Sequence, residues 1–373
     1  MLNPITSHQV AIIKLWHLVN HSLTTYYKLI EHFGSANYAL LPSNIVKWSM
    51  LGIHASHIKR ASQFSDLEVQ HHLDSIIEKT IQYCDFVCTP ADSTYPHQLQ
   101  NYADKPPILF GQGNSQLLNT PSIAIIGSRK ATKYGEKNGY DFAYYLSEKG
   151  YTVISGLAEG IDQAAHLGAI SHHNTVAIMA TGIDQTYPKH HQKLRQKILE
   201  TGNTIITEFL PGTKPLQHHF PRRNRLVSGM SLGVVVVEAH LPSGSLGTAK
   251  CAANQGKTVF AIPGNIHDKV YEGCHELIRE GATLVFHPQQ IIEDLSFSFG
   301  TISQTSEIHS SHEDIFIPVH LKNLYEQLSW QGQDLDQIAS SLSLSTAEIT
   351  AQLMELELLE LCIQHAGQYS RLK

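Results

Sequence analysis

Between residues 120 and 290 the chain alternates short β-branched runs with helical stretches, and this alternation constrains the fold more than any other feature. The candidate strands are Ile123–Ile126, Tyr151–Ser155, Thr175–Ala180, Thr204–Thr207, Gly233–Glu238 and Thr258–Ile262. Several are apolar on both faces, as a strand must be when helices cover both sides of its sheet. Helices are expected over 135–149, 160–171, 189–201 and 245–255. The predicted class is α/β with a doubly wound sheet, a fold that binds ligands in the loops at the carboxyl ends of its strands.

The flanks follow other patterns. Residues 5 to about 83 carry helical spacing, as in Ile12, Ile13, Leu15, Leu18 and Val19, and Gly34-Ser35 is expected to stop one helix and cap the next. Short helices broken by a Phe-Gly-Ser turn suggest a helix-hairpin-helix module, but the Gly-x-Gly hairpin is missing and a small helical packing domain is the plainer reading. Cys88 to Asn119, with Pro90, Pro96, Pro106 and Pro107, reads as an ordered connector. Residues 296–314 are poor in aliphatics and rich in Ser, Thr and His, which is linker composition. From Ile317 onward the spacing gives helix, turn, helix and a hairpin of Leu361–Gln364 with Gln368–Leu372, the plan of a winged helix. The expected division is therefore 1–88 helical, 89–295 α/β, 296–314 linker and 315–373 winged helix.

Composition removes several classes. The five cysteines form an odd set with no CxxC pair, which argues against a disulfide framework and a zinc knuckle. No stretch approaches the ~18–20 apolar residues of a membrane span, and Met1-Leu2-Asn3-Pro4 does not open a secretory signal, so a soluble cytoplasmic protein is expected. The net charge of −6 is unevenly spread. Residues 105–294 hold 18 Lys/Arg against 15 Asp/Glu, whereas 295–373 hold 3 against 10. A polyanion would have to meet the middle segment.

Three strand ends there offer glycine and hydroxyl residues: Gly127-Ser128-Arg129, Ser155-Gly156 and Ser243-Gly244-Ser245. Glycine lets backbone amides approach a phosphate, the hydroxyls add hydrogen bonds, and Arg129 adds a two-pronged charged one. One such turn is usually structural; three converging on one crevice favour phosphate binding. The stretch Lys214 to Arg225 contains four fixed cations, two histidines, Phe220 and no acid. It reads as a groove tracking a sugar-phosphate backbone, with Phe220 as a stacking face, Lys214, Arg222, Arg223 and Arg225 as cations and Asn224 beside them. The competing reading is a basic loop paired with acids from elsewhere, Arg222 first among its cations.

Catalytic constellations are scarce. Gly-x-Ser-x-Gly does not occur at a strand-to-helix elbow, and His-Glu-x-x-His is absent. The histidine doublets 71/72, 172/173, 190/191 and 218/219 point apart on any helix and read as polar surface. Glu159, Asp162, Asp184 and Glu208 are expected to cap amides. No catalytic residue, metal or cofactor is assigned. The alternative is a Rossmann-type nucleotide-binding enzyme such as a nucleoside-monophosphate glycosidase, with Glu238 as its acid.

These motifs, with Gly160-Ile161-Asp162, Thr181-Gly182-Ile183-Asp184, Tyr187-Pro188, Pro263-Gly264 and Gly281-Ala282 in order, resemble the DprA/Smf family of DNA-processing proteins. The resemblance runs from about Tyr95 to Ala282. It implies an extended Rossmann-like domain that dimerises, flanked by a SAM/helix-hairpin-helix-like helical domain and a winged helix. It further implies a non-enzymatic protein that binds incoming single-stranded DNA during natural transformation. The implied partners are RecA recombinase, which it loads, and the single-strand-binding protein, which it counters. By the matching motifs, Arg129 and Lys214 to Arg225 would contact DNA, and Gly127, Ser128, Ser155, Gly156, Ser243 and Gly244 would line the pocket. The tail departs from a DNA reader. Its recognition-helix candidate, Ser345–Leu358, has three glutamates and no Lys or Arg, so this domain is expected to contact protein or the same chain.

Overall fold

The computed structural model describes residues 5–298, 317–318, 320–329, 333–342, 345–359, 361–365 and 368–371. Residues 299–314 of the expected linker lie outside these, as do Met1 to Pro4 and Ala366-Gly367 of the expected hairpin. The chain divides into two compact units, Met1–Thr301 and Ile302–Lys373.

The first unit begins with six helices: α1 (Ser7–Leu18), α2 (Leu23–Phe33), α3 (Ala36–Ala39), α4 (Pro42–Ile45), α5 (Ala55–Ser62) and α6 (Leu67–Tyr83). Gly34 ends α2 at φ +81°, and the Ser35 hydroxyl accepts from the Tyr38 amide to start α3, as the Gly-Ser pair requires.

A nine-stranded sheet follows. Its first two strands are β1 (Phe86–Cys88) and β2 (Leu109–Gly113). The alternating part then runs β3 (Ser122–Ile126), α7 (Lys133–Glu148), β4 (Thr152–Ser155), α8 (Ile161–Ile170), β5 (Thr175–Ile178), α9 (Gln192–Glu200) and β6 (Thr204–Thr207). It continues α10 (His219–Gly229), β7 (Gly233–Val236), α11 (Gly244–Asn254), β8 (Thr258–Ala261), α12 (Glu272–Arg279), β9 (Thr283–Leu284) and α13 (Pro288–Ser298). The spatial order is β1-β2-β6-β5-β4-β3-β7-β8-β9, parallel from β6 to β9, with β1 and β2 antiparallel at one edge. Every expected strand is present. The expected connector is corrected, because it carries β2, which pairs with both β1 and β6.

Successive residues of a strand serve opposite layers. Ile123 and Ile125 of β3, with Val235 and Val237, join Phe142, Leu146, Ile161 and Leu295 on one face. Ala124 and Ile126, with Val234 and Val236, join Leu226, Val227 and Ala252 on the other. The N-terminal helices share a third cluster with Phe110, Ala177 and Ile205 of the sheet.

The order places a topological switch point at β3. The chain winds from β3 through β4 and β5 to β6, then crosses back to lay β7 on the other side of β3. Loops leaving β3 and β7 therefore diverge to opposite faces and leave a crevice above their carboxyl ends.

The second unit contains α14 (Lys322–Gln327), α15 (Leu335–Ser341), α16 (Thr346–Leu358) and the hairpin β10 (Cys362–His365) with β11 (Gln368–Arg371). A capping box between Ser345 and Glu348 starts α16, whose Ile349, Leu353 and Leu356 enter the unit's own core. Helix, helix, helix and hairpin form a winged helix. Among the described residues, no helix is long and apolar enough to cross a membrane.

Candidate nucleic-acid interface

The crevice is an open cleft of about 830 Å3. Its floor is the loop after β3, its walls are α10 and the start of α11, and Arg129, Tyr187 and Phe220 stand at its mouth. Gly127 is required there. A Cβ would lie 2.6 Å from the Ile161 side chain and 2.9 Å from the Glu238 carbonyl, so any side chain would push the β3 and β7 loops apart. The Ser128 amide donates to that same carbonyl at 2.8 Å and ties the loops together.

Arg129 is exposed, and no carboxylate lies within ion-pair distance of it among the described residues. Its guanidinium sits 5.2 Å from the centroid of the Phe220 ring, and the Tyr187 ring lies 5.4 Å from that of Phe220, tilted by 60°. Two half-open aromatic faces beside an unpaired guanidinium suit an unstacked base and the phosphate next to it. Sequence reading missed Tyr187 and Lys130 as members of this rim. Both line the cleft, and the signal was available, since Lys130 follows Arg129 and Tyr187 precedes Pro188 at a strand-end loop.

At the opposite wall the Ser243 hydroxyl accepts from the Ser245 amide and caps α11. Gly244 and Gly247 are exposed with nothing near a would-be Cβ. The positive end of α11 thus opens to the cleft with room for an anion to approach the backbone.

The second predicted phosphate loop is corrected. The Asp162 carboxylate, on the first turn of α8, accepts from the amides of Gly156 and Ala158 at 3.0 and 3.4 Å. The Ser155 hydroxyl donates to the Ile125 carbonyl at 2.7 Å and is fully buried. The chain's own carboxylate occupies the position offered to a phosphate, in line with the amide-capping reading of Asp162. Burial raises the Asp162 pKa, and Arg223 with the two amides opposes the rise. Asp184 likewise accepts from the Gly212 amide at 2.7 Å.

The arginine stretch is corrected more deeply. Its second half forms a helix, α10, whose three arginines take two directions instead of lining one groove, with Lys214 left outside the helix. Arg223 is buried under the cleft, donating to the carbonyls of Gly156 and Ile178 and, through Nε, to the Asn224 side chain at 3.1 Å. Burial lowers its pKa to about 10, with Asp162 opposing, so it remains a cation at neutral pH. Arg222 and Arg225 turn away to the fully buried carboxylate of Glu208. Lys214 is exposed, beside the Pro215–Gln217 edge of the cleft. Of the predicted site residues, the cleft joins Gly127, Ser128, Arg129, Gly156, Phe220, Arg223, Asn224, Ser243, Gly244 and Ser245, and leaves out Ser155, Lys214, Arg222 and Arg225.

The histidine doublets also divide. His191 is buried against the Leu157 carbonyl and Gln163, and His219 is buried against the ring of Phe209, so these two are not surface. Glu238, the acid of the enzymatic alternative, is fully buried and receives the amide and hydroxyl of Thr132, which starts α7.

Comparison with known proteins agrees with this fold. Residues 86–296 match the family model of DNA recombination-mediator protein A, and residues 321–368 match the DprA winged helix domain. Protein Smf of Escherichia coli is 38% identical over 289 residues, covering 76% of this chain and 77% of that protein. The X-ray structure of DNA processing protein A (DprA) from Streptococcus pneumoniae is similar with a TM-score of 0.66 and 34% identity, over 78% of this chain and 99% of that one. A structure of DNA processing protein A from Helicobacter pylori, described for its single-stranded DNA binding mode, is similar with a TM-score of 0.52 and 30% identity. It covers 57% of this chain and 96% of its own.

Proposed function

This chain belongs to the DNA recombination-mediator protein A, or DprA/Smf, family, and from that premise we propose that it binds single-stranded DNA in the cleft above β3 and β7. The observation that carries this reading is Arg129, a cation without a carboxylate partner among the described residues, set against Phe220 and Tyr187 at the cleft mouth. Phosphates meet Arg129, Lys130 and the start of α11, and bases stack on the two rings. Because phosphate and ring contacts carry little base information, binding is expected to be nearly independent of sequence.

The protein then acts as a recombination mediator and not as an enzyme. It protects incoming DNA in the cytoplasm during natural transformation, counters the single-strand-binding protein and loads RecA, working as a homodimer. Its parts are a helical domain ahead of β1, a DNA-binding domain from β1 to α13, a linker and the winged helix over 315–373. The glycosidase alternative is disfavoured because the Glu238 carboxylate is enclosed and engaged with Thr132.

Titration of oligo-dT and a matched duplex at two salt concentrations tests the proposal. The single strand should be preferred, and log affinity should fall with log salt at about −0.7 per neutralised phosphate. Equal binding of duplex, or release of free base from nucleoside monophosphates, overturns it.

A further inference from the structure

Helix α16 is apolar on two opposite sides. Ile349, Leu353 and Leu356 fill the core of the winged-helix unit. Ala347, Ala351, Met354 and Leu358 repeat at helical spacing on the other side and face solvent, Met354 at 60% and Leu358 at 85% exposure. Leu359, just after the helix, and Ile363 of β10 are also apolar and each 42% exposed. A helix buried on one side ordinarily carries polar residues on the other.

The border of this stripe is acidic. Glu348, Glu355 and Glu357 flank it, and α16 holds no Lys or Arg. Glu355 meets His320 at 3.0 Å, and Glu348 engages Ser345 in the cap. Over 315–373 the sequence has 3 Lys/Arg against 7 Asp/Glu. Phosphate would be repelled where a groove-reading helix needs cations, and Met and Leu offer duplex DNA nothing to pair with.

We infer that the outward stripe of α16 docks a short amphipathic helix of another protein, one that carries apolar residues at helical spacing with lysines or arginines at their flanks. Met354 and Leu358 receive the apolar residues, and the glutamates receive the cations. The winged helix is thereby a protein-docking module, while DNA affinity resides in the cleft. The inference stands apart from the DNA-binding proposal, and either can fail alone.

The test uses the full chain and a fluorescent synthetic helical peptide with leucines at i, i+3, i+4 and i+7 and flanking lysines, followed by anisotropy. The peptide should bind, and its glutamate-flanked counterpart should not. Met354→Ser with Leu358→Ser should weaken binding by about tenfold or more, the change expected when apolar anchors are lost. Glu355→Lys with Glu357→Lys should reverse the preference between the two peptides. Met354 and Leu358 are exposed, so the serine pair should melt with the parent, and the lysine pair, which gives up the contact of Glu355 with His320, is compared at a temperature where its melt shows it folded. Absence of peptide binding, or binding insensitive to both pairs of substitutions, overturns the inference. So does a loss of duplex-DNA binding on substituting the stripe, which makes it a DNA reader. Self-association that disappears on the same substitution also overturns it, because the occupant is then a second copy.

Discussion

Arg222 grips Glu208 with two parallel hydrogen bonds of 3.0 Å, and the pair is the junction between the N-terminal helices and the sheet. The guanidinium lies 5.2 Å from the Trp16 ring centroid and 5.4 Å from that of Phe209, donates to the His21 carbonyl, and shares the Glu208 Oε2 with Arg225, which donates to it at 2.6 Å. Glu208 is enclosed, whereas Arg222 and Arg225 keep 22% and 12% of their side chains exposed. Removing the acid strands two cations that regain some water. Glu208→Ala should therefore cost about 3 kcal/mol, the lower end of the range for breaking a buried pair. A urea midpoint equal to the parent's would refute this.

Arg222 and Arg129 should separate stability from binding. Arg222→Ala should lower the unfolding midpoint and leave the oligo-dT affinity of the folded protein unchanged. Arg129→Ala should do the reverse, and Phe220→Ala should weaken binding by about 1–3 kcal/mol, the stacking worth of one base. Arg223→Ala belongs with the stability group, because its guanidinium is bonded to Gly156 and Ile178 carbonyls beneath the cleft. Gel shifts and urea melts on the same preparations decide the matter.

This separation marks how far the sequence could be read. The parallel strands were legible because they are apolar on both faces, and the cleft because Gly127, Ser128 and Arg129 follow a buried strand directly. Strand β2 was hidden by Gly111 and Gly113, which weaken any strand signal. Gly111 is there because the Phe86 ring from β1 occupies the space of its side chain. That Arg222 pairs with an acid was the competing reading and holds, but which acid was hidden, because Glu208 lies on a preceding loop and meets Arg222 and Arg225 only after α10 folds back. Local spacing carries no such information.

Glycines around the cleft divide by surroundings. Gly160 has φ +70°, and a Cβ there would collide with the Ser128 carbonyl, so Gly160→Ala should destabilise by about 1–3 kcal/mol and disturb the Arg129 loop. Gly244→Ala meets open space and should melt with the parent, yet weaken single-strand binding if phosphate approaches the start of α11. Thermal melts paired with affinity measurements check both. Unimpaired binding by Gly244→Ala would remove α11 from the phosphate path.

Acid should destabilise the protein before its carboxylates titrate. Burial holds His21 and His166 near a pKa of about 3, from an ordinary value near 6.5, so both are neutral when folded and take protons on unfolding. With folded values depressed, stability is fully present above pH 6.5 and falls as pH drops toward 3, by about 1.4 kcal/mol per pH unit for each group. The raised pKa of Asp162 acts in the opposite sense, from its elevated folded value down to the ordinary carboxylate range, and subtracts from the histidine slope there. Urea midpoints at pH 7.5, 6.5 and 5.5 should fall in that order, and His166→Gln should flatten the slope. A level profile would contradict the assignment.

Deleting residues 315–373 should leave oligo-dT affinity within about tenfold of the full chain at fixed salt, because the tail carries excess acid and its α16 no cation. A larger loss, measured at the same ionic strength, would place part of the DNA path on the winged helix.

The position of β3 has a consequence for synthesis. Its neighbour β7 begins only at Gly233, while β3 ends at Ile126, so the two rims of the cleft are far apart along the chain. A ribosome must deliver β4, β5, β6 and α10 before that pairing can close, and long-range parallel pairing forms slowly. A nascent chain therefore carries Arg129, Tyr187 and Phe220 before it carries the start of α11, and the cleft gains its second wall in one late step.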